Sequence, residues 1–192
     1  MNRSALKLVA SLLAAVGIVA AAEDSNIDLR RSTIAIHVGK AGLFSAAAHE
    51  HWIIAPISSG TLRESPVPHV DFTVETAKMT VKPDPKVDAK TQATIQKDME
   101  DMTLETKKFP DITFRSRRID KLGEGQWTVE GDLSLHGITK PVTLTVKRTG
   151  DSYNTRTVLK QTDFGIKPIS LGGGTIRVKN EIEIECQIFA RN

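Results

Sequence analysis

The residues best suited to chemistry in this sequence are its five histidines, two of which lie close together. His49 and His51 flank Glu50, so in an extended segment both imidazoles fall on the same side. Two such imidazoles can ligate one metal ion, with a third ligand such as His136 supplied from elsewhere in the chain. One hypothesis is therefore a metal-binding protein or metal-dependent enzyme that uses His49 and His51. The alternative is that the pair only shapes the mouth of the fold or hydrogen-bonds to the backbone.

No other arrangement of side chains indicates catalysis. The sequence contains no Gly-x-Ser-x-Gly elbow, phosphate-binding loop or dinucleotide fingerprint. His136 ends a predicted strand with a parity opposite to the neighbouring leucines, which favours an outward or rim position. The most regular carboxylates lie on the polar face of the last strand, at Glu181, Glu183 and Glu185. We predict no catalytic residue, no enzymatic activity and no cofactor.

The remaining candidates for function are apolar side chains on or beside predicted strands. In a small barrel such residues either fill the interior or line a ligand cavity. A long hydrocarbon ligand would need no special polar partner, because each buried CH₂ contributes about 0.8 kcal/mol. We predict ligand-lining positions at Phe44, Trp52, Phe72, Phe114, Leu133, Leu135, Val142 and Phe164.

These residues must be positioned by short strands that alternate apolar and polar side chains. In the last predicted strand, residues 176–188, the isoleucines and Cys186 share one parity and the charged residues share the other. This pattern is typical of an antiparallel wall with one dry face. Residues 131–145 read as two strands joined by a tight corner, with Pro141 at the end of that corner.

One stretch departs from the strand pattern. Between Asp88 and Lys107 the chain contains no Gly or Pro, and Asp88 is a good N-cap. Apolar residues near helical spacing, Ala89, Ala93, Ile95, Met99 and Met102, predict a helix there. The fold class is therefore all-β with a short helical insertion, compatible with a closed antiparallel β-barrel of about eight strands that carries a helix over one end.

The N-terminus reads as an export signal. Arg3 and Lys7 precede an apolar run over 8–22 that ends in three alanines before two acids. At about fifteen residues, the run is shorter than the ~20 needed to span a bilayer. We expect a cleaved signal peptide at 1–22, one domain at 23–192 without a membrane anchor, and a periplasmic or secreted location.

The mature domain carries almost no net charge. Of 26 basic groups, two lie in the predicted signal, which leaves 24 against 23 acidic groups. This balance gives no reason to expect a nucleic-acid partner. The single cysteine, Cys186, excludes an internal disulfide, and its place on an apolar strand face predicts a small buried side chain.

Several ordered segments resemble the YceI-like family. They are the hairpin GDLSLHGITKPVTLT at 131–145, KKFPDITFRS at 107–116, KQTDFGI at 160–166, the first strand and its turn at 34–44, and the ending at 178–181. The resemblance implies a lipocalin-like barrel with an amphiphilic tunnel and an exported bacterial protein that carries or sequesters lipid. It implies no catalytic set. The His49–Glu50–His51 segment departs from the family pattern, where many members have a single histidine.

The leading hypothesis is an exported protein that holds a long isoprenoid-type lipid inside its barrel. This hypothesis is based on the ordered segments that resemble the family and on the alternating pattern of the predicted strands. Besides the metal-binding alternative, a third hypothesis is a structural or stress-related interaction module whose barrel is filled by its own side chains. The oligomeric state is not indicated by the sequence.

Overall fold

The computed structural model describes residues 25–41, 50–171 and 176–191, most of which lie in antiparallel strands. The strands are β1 Ser25–Asn26, β2 Thr33–Ala41, β3 His51–Ala55, β4 Ser59–Arg63, β5 His69–Glu75, β6 Thr80–Val81, β7 Asp111–Gly123, β8 Gln126–Leu135, β9 Ile138–Thr149, β10 Ser152–Lys160, β11 Ser170–Leu171 and β12 Ile176–Phe189. One α-helix, α1, spans Ala89–Asp98 and continues as a π-helical turn at Met99–Thr103. Short 3₁₀ turns occupy Thr76–Lys78 and Gln161–Phe164.

The strands form one curled antiparallel sheet. Their order is β1-β4-β5-β7-β8-β9-β10-β12-β2-β3-β6, and β11 pairs with β12. Nine of the described strands have five or more residues and make up the wall. These findings confirm the predicted all-β fold with a helical insertion.

The segment around Ile27 ties the two sides of the sheet together. Its N–H donates to the carbonyl of Gly60, at 3.0 Å, and Ile27 forms an isolated bridge with Ala190 beyond β12. Next to this bridge, the N–H of Asp28 donates to Phe189 O at 2.8 Å. Ile27 is only 1% exposed. The segment therefore closes one end of the barrel and places an apolar plug there.

Alternate residues of the wall point inward and form a single apolar core. Strand side chains in it include Ile34 and Ile36 of β2, Val74 of β5 and Leu135 of β8. Side chains two apart share a face of a strand, so the period-two pattern of the sequence is what creates this core.

A two-residue turn joins β8 to β9. His136 and Gly137 both have positive φ, 52° and 75°, as a type I′ turn requires. Pro141 was expected at the end of a longer corner, but it lies inside β9, opposite Asp132. The described part of β10 does not pair with β9 at this point, so the missing N–H of Pro141 costs no ladder bond on that side.

The helix is shorter than the sequence predicted. Asp88 caps it as expected, accepting from the N–H groups of Lys90 and Thr91. From Met99 the backbone widens into a π turn, in which the Leu104 N–H donates to Met99 O at 2.9 Å. Met99 and Leu104 are both buried. Residues five apart lie on different faces of a regular α-helix, so the wider turn lets both side chains reach the core.

Only part of the predicted apolar stripe faces inward. Met99 is buried and Ile95 is half-buried, whereas Ala89, Ala93 and Met102 are exposed. The helix is held instead by Gln96, whose amide accepts from Val81 N–H at 2.7 Å and donates to Met79 O at 2.9 Å.

Replacing Ile27 with alanine should destabilise the barrel by about 2–5 kcal/mol, because it leaves a cavity beneath the closing segment. Leu29, two residues further on, is 38% exposed, so Leu29→Ala is the matched control and should cost well under half as much. The free energy of unfolding measured in urea compares the two variants. Equal losses would show that the Ile27 plug has no special role.

Candidate functional site

The barrel interior contains two apolar cavities that lie end to end. The larger has a volume of about 190 Å³ and extends between β2, β3, the C-terminal end of α1 and the lower parts of β8 to β10. The smaller, of about 100 Å³, lies toward the β4–β5 and β7–β8 hairpins. Aliphatic and aromatic side chains provide most of both linings. The geometry is that of an interior suited to apolar ligands.

The two cavities meet at a small set of shared side chains. Phe72 and Phe114 are stacked there, with ring centroids 5.5 Å apart and planes 25° from parallel. Leu144, Thr155 and Cys186 also line both cavities. The aromatic pair therefore lies where two compartments of one interior meet.

The outer end of the smaller cavity is crossed by polar contacts. Arg148 Nη1 lies 3.1 Å from Glu64 Oε1, and the Tyr153 hydroxyl donates to the same oxygen. The Arg148 guanidinium also lies 5.8 Å from the centre of the Tyr153 ring. Because Glu64 precedes β5 whereas Arg148 and Tyr153 belong to the β9–β10 hairpin, these contacts connect two hairpins across the barrel end.

The structure brings five of the predicted lining residues into the cavity walls. Phe72 of β5, Phe114 of β7, Leu133 and Leu135 of β8, and Val142 of β9 all line the larger cavity. Phe44 lies outside the described residues.

Trp52 and Phe164 require correction. Trp52 alternates with the inward residues His51 and Ile53, so its ring points outward, is 37% exposed and stacks on His37 at 4.8 Å. Phe164 is 2% exposed in the 3₁₀ turn after β10 and packs in the core without lining either cavity. A run of apolar residues over 52–57 did not show which parity faced inward.

The histidines take different positions. His51 lines the larger cavity, and His49 lies outside the described residues. His136 sits in the hairpin turn, with its ring 4.2 Å from that of Phe109 and its Nε2 3.1 Å from Glu105 Oε2. Across the described residues, no group of three or more His, Cys, Asp or Glu side chains is placed to hold a metal ion.

Thr103 lines the larger cavity and has a buried hydroxyl. It ends the π turn, and its Oγ1 has no hydrogen-bond partner among the described residues. Thr76, by contrast, is 2% exposed and donates to the carbonyls of Phe109 and Pro110, at 2.9 Å each. No sequence pattern pointed to Thr103, because a regular helix was expected there. Leu144 could have been found from its shared parity with Val142.

Cys186 lies at the junction of the cavities and is chemically unreactive. Burial raises the pKa of its thiol from 9.0 to about 12. At neutral pH the group is therefore a small apolar side chain rather than a nucleophile.

A curled antiparallel barrel that encloses apolar cavities and carries one helix belongs to the lipocalin-like class of folds. Within that class, the chain belongs to the YceI-like family: the YceI-like domain matches residues 24–190. The match confirms the family resemblance seen in the sequence segments.

Curated relatives match part of the chain. A UPF0312 protein of Pseudomonas putida strain W619 is 39% identical over 74 residues, which cover 33% of this chain and 38% of that protein. A UPF0312 protein of Shewanella denitrificans is 35% identical over 92 residues, which cover 43% of this chain and 48% of that protein. The matched segments thus span less than half the length of these relatives.

Two solved structures share the fold. BcnA of Burkholderia cenocepacia superposes with a TM-score of 0.63 at 17% identity, over 86% of this chain and 99% of that one. A polyisoprenoid binding domain from Saccharophagus degradans, implicated in plant cell wall breakdown, gives 0.60 at 14% identity, over 86% and 98%. Within the described part of this chain, no helix has the length and apolar character needed to cross a bilayer.

Replacing Thr103 with valine should raise the free energy of unfolding by about 1–3 kcal/mol, because it removes a buried hydroxyl that has no partner among the described residues. Thr76→Val should lower it by a similar amount, since that hydroxyl has two partners. Urea unfolding of the two valine variants tests the contrast. A loss of stability in Thr103→Val would mean that its hydroxyl is satisfied in solution.

The raised pKa of Cys186 predicts a loss of stability in alkali. Below about pH 9 the thiol is protonated in both the folded and the unfolded chain; between about pH 9 and 12 only the unfolded chain ionises, so unfolding becomes easier. Relative to Cys186→Ala, the wild type should lose up to about 1.4 kcal/mol per pH unit in that range. Unfolding curves recorded from pH 8 upward measure this difference. Parallel pH profiles would show that the thiol is not shielded.

Proposed function

We propose that this protein is an exported lipid-binding protein that holds a long, apolar, isoprenoid-type chain in its barrel. The observation that carries the proposal is the pair of apolar cavities that meet at Phe72 and Phe114. A ligand with an extended hydrocarbon chain fits such a divided interior better than a compact polar molecule does.

The volumes of the cavities bear on the length of the chain. A dry cavity of about 150 Å³ is large enough for benzene, so the larger cavity, at about 190 Å³, takes roughly one or two isoprene units as it stands. A longer chain has to run through both cavities, and the Phe72 and Phe114 rings must then turn aside. Each five-carbon unit contributes about 4 kcal/mol of burial, so a few units offset the cost of association.

Family membership supports the same proposal. The Saccharophagus degradans domain with this fold is a polyisoprenoid binding domain, and we extend that ligand class to the present chain.

The proposed location follows from the N-terminal segment. The basic residues Arg3 and Lys7, the apolar run over 8–22 and the acids that follow are typical of a secretory signal. We propose cleavage after Ala22, a mature domain at 23–192, and a role in the periplasm or outside the cell as a carrier or store of lipid.

Expression of the full chain in a Gram-negative host tests ligand class and export together. Protein purified from the periplasmic fraction should begin at Glu23 by intact mass and release prenyl lipid on extraction. In the variant Leu144→Trp, a large ring fills the junction of the cavities, so the yield of bound lipid should fall at least tenfold.

Leu122→Trp is the matched control, because Leu122 is 60% exposed at the tip of the β7–β8 hairpin. This control should retain the lipid of the wild type. A wild-type protein that carries no lipid and takes up no undecaprenol when mixed with it in detergent would overturn the proposal.

A further inference from the structure

The wall of the barrel is split between β9 and β10. These strands pair only through Thr149 with Ser152, Arg148 with Tyr153 and Lys147 with Asn154. Each strand is fully paired on its other side: β9 with β8 as far as Ile138, and β10 with β12 as far as Lys160. In the described structure, the halves of β9 and β10 that lie farther from their hairpin turn, here called the lower halves, therefore face each other without a hydrogen-bonded ladder.

The split has defined ends. At the top, the Thr155 hydroxyl donates to Thr145 O at 2.8 Å. At the bottom, Lys140 Nζ lies 3.8 Å from Asp163 Oδ1 in the 3₁₀ turn that follows β10. The opening thus runs along Pro141–Thr145, and five residues of extended strand span about 17 Å. Pro141, which has no N–H to give to a ladder, lies within it.

The split leads directly into the larger cavity. Val142 and Leu144 on one side, and Thr157 and Leu159 on the other, all line that cavity, and all are only half-buried. On the outer face, Val158 is 55% exposed beside the split. Apolar and threonine side chains therefore line the inner side of this seam, and Val158 adds an apolar side chain on its outer side.

Passage of a lipid chain between β8 and β9 would break a backbone ladder of ten residue pairs. At the outer end of the smaller cavity, the Glu64 contacts with Arg148 and Tyr153 lie across the path. Along Pro141–Thr145 no ladder bond to β10 has to break.

We propose that the β9–β10 split is a lateral portal through which an apolar chain enters and leaves the barrel sideways. The portal rests on the proposed lipid-binding function and adds the route that the ligand takes. Because the seam runs along five residues of extended strand, it suits a flexible chain that threads lengthwise rather than a bulky rigid molecule.

Cross-linking the seam tests the portal. The register of the paired residues, extended along both strands, places Thr143 opposite Val158, and both side chains are exposed. In a Cys186→Ala background, Thr143→Cys with Val158→Cys is joined by a flexible bis-methanethiosulfonate reagent. The matched control joins Val158→Cys to Glu183→Cys, which is its exposed partner in the intact β10–β12 ladder.

Stopped-flow fluorescence with cis-parinaric acid, a linear chain that contains its own fluorophore, measures entry and exit of an apolar-chain probe. The seam cross-link should slow both rates at least tenfold while the dissociation constant stays within about twofold, and dithiothreitol should restore the rates. The control cross-link should leave them unchanged. Normal equilibrium binding with equal rates in both cross-linked proteins overturns the portal alone, whereas a wild type that never takes up the probe overturns the binding function as well.

Discussion

Every second side chain of a curled antiparallel sheet points into a space that the sheet itself encloses. That geometric constraint governs the rest of this molecule, because the size of the inward residues decides whether the space is filled. Here many inward positions carry valine, isoleucine, leucine or threonine, and Phe72 and Phe114 stand between the unfilled parts. The same alternation that folds the wall therefore also produces the cavities.

Closure and opening are set by different parts of the backbone. The Ile27 segment joins β4 to the end of β12 and keeps one end of the barrel together. Between β9 and β10, the pairing stops after three residue pairs. A short ladder anchored by a hairpin allows the lower strands to separate while the rest of the sheet holds its shape. One region of the sheet therefore stabilises the barrel, and a different region gives access to its interior.

Much of this arrangement follows from local sequence, and some of it does not. The period-two pattern predicted the strands, and the structure places Leu133, Leu135 and Val142 in the wall of the larger cavity. Trp52 was misplaced because a continuous apolar run carries no parity of its own. The π turn escaped prediction because only the tertiary requirement to bury both Met99 and Leu104 selects it. Nor does a sequence show how far two strands remain paired.

A wall whose strands can separate also exposes two unpaired sheet edges, and strands of neighbouring molecules can pair with such edges. The side chains along this seam oppose such pairing. Lys147 flanks it on β9 and Lys160 flanks it on β10, so an incoming strand would meet a cation on either side. Pro141 removes a backbone donor in the same place. The residues beside the opening therefore disfavour fibrous self-association of a barrel that must open to apolar chains.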